Sequence, residues 1–430
     1  MARRRKLAAL WLGITLLAGS LVFSLPQRVS TASPDHPAIG YSSRPTRDPV
    51  ARLNRRIEEN QAQLSFAGAS GYLRSVLAAL DISVESQTLV FSETSLQAEH
   101  ISKTHPRAIF FNDSVTVGWV PGTGSIELAA QDPEQGIIFY QLAQTPRQKP
   151  QFVRETQCLQ CHNTSFTGGL PGLFVMSMLP LSDDPNEYAL GWGVDHKTPV
   201  EDRWGGWYVT AKQAPNRHLG NVPVHHVARS YERAAAAPKL ESVTGEFDTA
   251  PYPSAHSDIA ALLVLNHQVA MTNLLTRLGW EARIAAYNAP AGQEAQIPER
   301  VQDTANELVD YLFFVDEAPL PSRIEGSSAF AREFAAPGPR DRRGRSLRDL
   351  DLERRLLRYP CSYMIYTEAF DALPAAAQTA VYERMWEVLS GAETRQAYAR
   401  LTLADRQAVV EILRETKPGL PGYFDSGRVR

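Results

Sequence analysis

Two cysteines and a histidine stand together in the run Cys158-Leu159-Gln160-Cys161-His162. Two thiols separated by two residues, with histidine directly after the second, form the attachment pattern for a covalent haem. Each thiol adds across one vinyl group of the porphyrin, and the histidine faces the iron with a ring nitrogen. The chemistry needs three residue types in a fixed order, and the chain holds only 3 cysteines, so the pattern is specific. Two other chemistries use a C-x-x-C pair. Structural zinc takes about four nitrogen or sulfur ligands. The remaining cysteine is Cys361, and no second C-x-x-C or H-x-x-x-H pair exists to complete such a site. A redox dithiol opens a helix in a thioredoxin-like unit, whereas residues 151–157 are too short and polar to be the buried strand before it.

The five residues resemble the haem motif of the c-type cytochromes. Beyond them, Asp195-His196-Lys197-Thr198-Pro199, Arg203-Trp204-Gly205-Gly206-Trp207-Tyr208-Val209-Thr210 and Arg217-His218-Leu219-Gly220-Asn221 are similar to a largely uncharacterised family of secreted, single-haem cytochrome c-like proteins. Arg358-Tyr359-Pro360-Cys361-Ser362-Tyr363 fits the same family. The resemblance implies one covalent haem c, with Cys158 and Cys161 holding it and His162 on the iron. It also implies attachment outside the cytoplasmic membrane, but no particular reaction.

The N-terminus agrees with export. Arg3, Arg4, Arg5 and Lys6 precede an apolar run over 7–25, followed by Pro26 and the small residues of 30–33. Basic, apolar and small-residue regions in that order form an export signal, with Ala32 as the expected cleavage position and a retained N-terminal anchor as the alternative. Either places the body of the protein in the periplasm or another extracytoplasmic space. Loss of residues 1–32 removes five basic residues and no acid, taking the formal charge from −3 to −8. Nucleic-acid binding, which calls for a basic domain, is not expected.

The elements around the motif read as an α+β chain. Residues 33–49 carry Pro34, Pro37, Pro45 and Pro49 and read as a linker; helices are expected over 50–64 and 71–80. Together these make an N-terminal region over 33–107. From 108 the pattern turns to short strands, at 108–111, 115–120, 125–130 and 136–142, separated by turn residues. Further strands are expected at 173–179, 188–194 and 206–210. These make a β-rich haem domain over 108–233. Residues 234–254 read as a boundary. Helices at 258–278, 298–315, 374–389 and 402–416 make a helical domain over 255–430, and Thr402-x-x-Asp405 resembles a capping box.

A haem iron has a sixth position to fill or leave open. His218, in the family-like run, is the first candidate ligand and His267 the second. His256, His267 and Met271 are expected on one face of a helix. Met176 and Met178 are explained by packing in a strand. Trp204, Trp207 and Tyr208 are expected as an aromatic wall, with Arg203 and Arg217 as partners for propionates. Cys361 reads as a buried apolar residue. Between 340 and 358 stand eight arginines, Arg340, Arg342, Arg343, Arg345, Arg348, Arg354, Arg355 and Arg358, against four acids. In an acidic chain this reversal suggests docking of an acidic redox partner protein. Single-electron transfer is the function expected first. A haem enzyme of peroxidase or oxygenase type with an open sixth position, or a haem-based sensor, are the alternatives.

Overall fold

The computed structural model describes residues 29–30, 32–178, 191–221, 237–290, 297–426 and 428–429. The export segment, apart from Val29, Ser30 and Ala32, lies outside them. The architecture is α+β, as the sequence pattern predicts: a six-stranded antiparallel sheet and a mainly helical C-terminal half.

Helix α1 (Pro49–Glu58) starts where Asp48 accepts hydrogen bonds from the backbone N–H groups of Val50 and Ala51, the usual satisfaction of orphan donors at a helix start. Helix α2 (Leu73–Ala79) follows. The sheet runs in sequence order: β1 (Thr88–Val90), β2 (Arg107–Phe111), β3 (Val115–Trp119), β4 (Ser125–Asp132), β5 (Gly136–Ala143) and β6 (Phe152–Arg154). The motif lies on a one-turn helix, α3 (Leu159–His162), and is followed by the hairpin of β7 (Val175–Met178) and β8 (Gly191–Val194). Strand β9 (Ala211–Gln213) precedes the long helix α4 (Ile259–Asn288). Then come α5 (Glu299–Leu312), β10 (Glu325–Gly326, paired with β9), α6 (Phe330–Ala335), α7 (Glu368–Asp371), α8 (Ala375–Ser390) and α9 (Leu403–Thr416).

Because facing residues in an antiparallel ladder share a side, the register sorts the sheet into two faces. Phe110, Val117, Leu128 and Tyr140 turn to one side, where they meet Val50, Leu53, Ile57, Leu73, Val76 and Leu77 of α1 and α2 in one core. Arg107, Gly118, Glu127, Ala129, Phe139 and Ile137 turn to the other. The motif packs on that second face, through Cys158, Leu159 and Leu173 against Ala129, Ile137 and Phe139.

Helix α4 is the described helix long and apolar enough to cross a bilayer, and its apolar window is wholly buried in the protein. A helix apolar all round belongs in a core. It touches β5, β7, α5, α6, α7 and α8. Buried polar residues along it reach other elements: Asn266 accepts from Trp204 Nε1, Gln268 Nε2 donates to Asn112 O, and Arg277 pairs with Glu307.

Several local expectations change. Residues 33–49 are no linker: Ile39 and Tyr41 are buried in the sheet core, and Tyr41 Oη donates to Ile137 O at 2.8 Å. The prolines set turns there without keeping the apolar side chains out. Residues 206–210 make isolated bridges, Val90 with Trp207 and Thr210 with Leu240 and Asp258, in place of a strand. Within 237–254, Val243 and Tyr252 join the sheet core, and Tyr252 Oη donates to Pro106 O. The capping box is present, with Thr402 and Asp405 each accepting from the other's backbone N–H.

Candidate functional site

Helix α3 places Cys158, Cys161 and His162 within one turn; Cys161 N and His162 N both donate to Cys158 O, at 3.2 and 2.9 Å. Positions three and four apart lie on the same side of a helix, so both thiols and the imidazole share a side. The thiols are free, Cys158 half-buried and Cys161 exposed. Burial, aided by the charges of Glu127 and Glu155, pushes the Cys158 thiol up to about 11.

The chain leaves the helix through a tight turn in which Thr164 and Thr167 cap each other, and returns so that Gly172 N donates to His162 O at 2.9 Å. The return carries the decisive contact: His162 Nδ1 lies 2.9 Å from Gly172 O. A carbonyl only accepts, so Nδ1 bears the proton and Nε2 carries the lone pair. Among the described residues Nε2 makes no hydrogen bond. Burial lowers the ring to about 4, keeping it neutral at ordinary pH. Phe139 and Phe174 flank it at 5.0 and 5.1 Å, and Phe166, 47% exposed, stacks on Phe174. Two free thiols, a neutral imidazole in the tautomer that offers Nε2, and an apolar rim are the groups a covalent haem needs, and the residues fit it. Among the described residues no three histidine, cysteine or acid side chains gather into a metal-binding cluster, the two thiols and His162 included, whereas structural zinc would need about four such ligands.

A feature that sequence reasoning missed adjoins this seat. On the same sheet face, Arg107 lies across Gly118 to pair with Glu127. A Cβ on Gly118 would stand 2.2 Å from Arg107 Nη2, so the glycine makes room for the guanidinium. Arg107 Nε has no hydrogen-bond partner among the described residues, and the arginine's charge is felt at both Cys158 and His162. Its guanidinium is held by Glu127, with Nε buried, so Arg107 adds a fixed positive charge beside the motif. Strand alternation places Arg107 and Glu127 on the Phe139 face, but only once the register is known.

The other expected residues lie apart. His218 is buried against Trp204, with ring centroids 5.6 Å apart, and its Nδ1 accepts from Gly220 N at 3.1 Å. Its neighbours, Trp204, Gly220 and Val209, are different residues from those around His162. His267 is not available as a ligand: Nδ1 meets His196 Nδ1 at 2.8 Å and Nε2 meets Ser362 Oγ at 2.7 Å. His256 precedes α4, so no stripe joins it to His267; Met271 is core. Arg203 points inward, its Nε on Thr198 O and Nη2 on His196 O, and Arg217 is exposed. Trp204, Trp207 and Tyr208 are buried, bonded to Asn266, Met176 O and Lys103 O. Cys361 is fully buried, as expected.

Seven of the eight arginines in the arginine-rich segment pair with acids of the chain, and the eighth, Arg358, lies over the Tyr359 ring. Arg340 pairs with Asp349, Arg342 with Glu415, Arg343 with Glu411, Arg345 with Asp341 and Glu411, Arg348 with Asp113, Arg354 with Asp351 and Arg355 with Asp405. A cleft of about 730 Å³ beside this segment, lined by Lys212, Arg323, Glu325, Arg332 and Asp351 among others, contains no residue of the motif.

No protein-family model matches this chain, and neither a curated protein nor a solved structure is significantly similar to it.

Proposed function

We propose that the protein is an exported c-type haem protein that passes single electrons. The observation that carries this reading is the bond from His162 Nδ1 to Gly172 O inside a C-x-x-C-H turn, because it leaves Nε2 as the nitrogen that can ligate. A haem held by Cys158 and Cys161 supplies one-electron ferric–ferrous chemistry. The chain's own residues do the rest. Gly172 O fixes the imidazole's tautomer and plane. Phe139 and Phe174 shield its faces, and Arg107 offers positive charge beside the motif.

Exposure favours electron transfer over chemistry on a bound substrate. Cys161 and Phe166 reach the surface, which lets a partner approach the cofactor edge. Small-molecule enzymes enclose their substrate, and the 730 Å³ cleft is built by other residues. The basic–apolar N-terminal segment supports export. Ser30 N donates to Gly168 O at 2.7 Å, so a cut after Ala32 would sever a contact to the turn behind the motif, and a retained segment would keep it.

One observation favours a haem enzyme instead: His218, the first candidate for the sixth position, packs on Trp204 and accepts from Gly220 N. Spectra of ferric and ferrous protein, with and without carbon monoxide, separate the two. The carrier reading expects a low-spin ferric form and a ferrous form inert to carbon monoxide. A high-spin protein that binds carbon monoxide rejects the carrier and supports the enzyme.

A further inference from the structure

We infer that Asn273 tunes the iron ligand's donor strength through a hydrogen-bond relay that ends on His162; this rests on the haem reading above. The relay runs through a single peptide group. The carbonyl of Gly172 accepts from His162 Nδ1 at 2.9 Å. The N–H of the same peptide group belongs to Leu173, and it donates to Asn273 Oδ1 at 3.1 Å. Asn273 Nδ2 donates in turn to Leu173 O at 2.7 Å, so the side chain grips the segment at two points. Asn273 is buried, 3% exposed, midway along α4. Gly172 is the residue that permits this approach, since a Cβ there would stand 2.3 Å from Asn273 Oδ1.

Hydrogen bonds in series polarise one another. An acceptor at the Leu173 N–H draws that proton and leaves the Gly172 oxygen richer in electrons. The richer oxygen pulls harder on the His162 Nδ1 proton, and the imidazole becomes a stronger donor at Nε2. A stronger donor favours ferric over ferrous iron, so Asn273 holds the potential down. Asn273 touches neither iron nor porphyrin in this account; it is a positioning and tuning residue.

The test is the midpoint potential of the full-length holoprotein, read by spectroelectrochemical titration. Asn273→Leu is expected to keep covalent haem and raise the potential by about 59 mV, a tenfold shift of the one-electron equilibrium. Asn273→Asp keeps an oxygen facing the Leu173 N–H and is expected to show no rise. Thr272→Val, which loses only a bond within α4 to Gln268 O, is the control and should also show none. If the leucine chain fails to fold, Asn273→Ser, too short to reach the peptide, carries the same expected rise. An unchanged potential in the leucine or serine chain, or equal rises in the leucine and aspartate chains, overturns the inference while leaving the haem reading intact. Absence of haem from the wild-type protein overturns the haem reading itself.

Discussion

His162 and His267 are both imidazoles pressed between aromatic rings, the first between Phe139 and Phe174, the second between Tyr311 and Phe314. Their chemistry differs because of their nitrogens. His267 has both engaged, with His196 and Ser362, deep in the helical half. His162 has Nδ1 engaged and Nε2 without a partner among the described residues, at the rim of the sheet. A buried histidine with both nitrogens satisfied is structure; one held at a single nitrogen, beside two thiols, keeps a lone pair free, which is what the proposed haem ligation uses. Burial keeps both neutral, so charge does not distinguish them.

The comparison can be broken at either end. The largest effect is expected at the motif: Cys158→Ala with Cys161→Ala should abolish covalent haem while the apoprotein stays folded, as judged by circular dichroism. Covalent haem in that double variant would contradict the assignment. Next, His267→Leu should leave haem content unchanged but cost about 2–5 kcal/mol in urea unfolding, because His196 and Ser362 lose a buried partner. A neutral His267→Leu would show that the pair is not a structural centre.

The smallest effect is the pH dependence of that cost. His267 sits at about 3 in the folded protein because of burial, against 6.5 ordinarily. The unfolded chain therefore binds the proton first, and His267 stabilises fully above about pH 6.5 and progressively less down to about 3. The penalty of His267→Leu should shrink by at most about 1.4 kcal/mol per pH unit over that window. Glu317, raised by burial to about 7, and His162 and His218, lowered by burial, are common to both chains and cancel in the difference. Urea midpoints of the two chains from pH 7 to 4 measure this. A penalty that grows on acidification contradicts it.

Much of the frame was legible in the chain itself. Strands β2 to β5 fall within two residues of the expected limits, because alternation and turn residues are local signals. The start of α9 followed from Thr402 and Asp405 for the same reason. What was not legible depends on distant partners. His267 looked like a ligand because its own partners, His196 and Ser362, are 71 and 95 residues away. Asn273 could not be linked to Leu173, 100 residues away, by any local pattern. The arginine segment looked unbalanced because Asp405, Glu411 and Glu415, which meet four of its guanidinium groups, stand on α9. Tyr41 was hidden by the prolines around it.

The account turns on whether His162 and its two thiols hold a haem. The direct measurement is the intact mass of the full-length protein, expressed with export and haem attachment intact, after acid–acetone extraction. One haem retained per chain, localised by peptide mapping to the segment holding Cys158 and Cys161, is the predicted result. A mass equal to the bare polypeptide, with the haem in the extract or absent altogether, would contradict it.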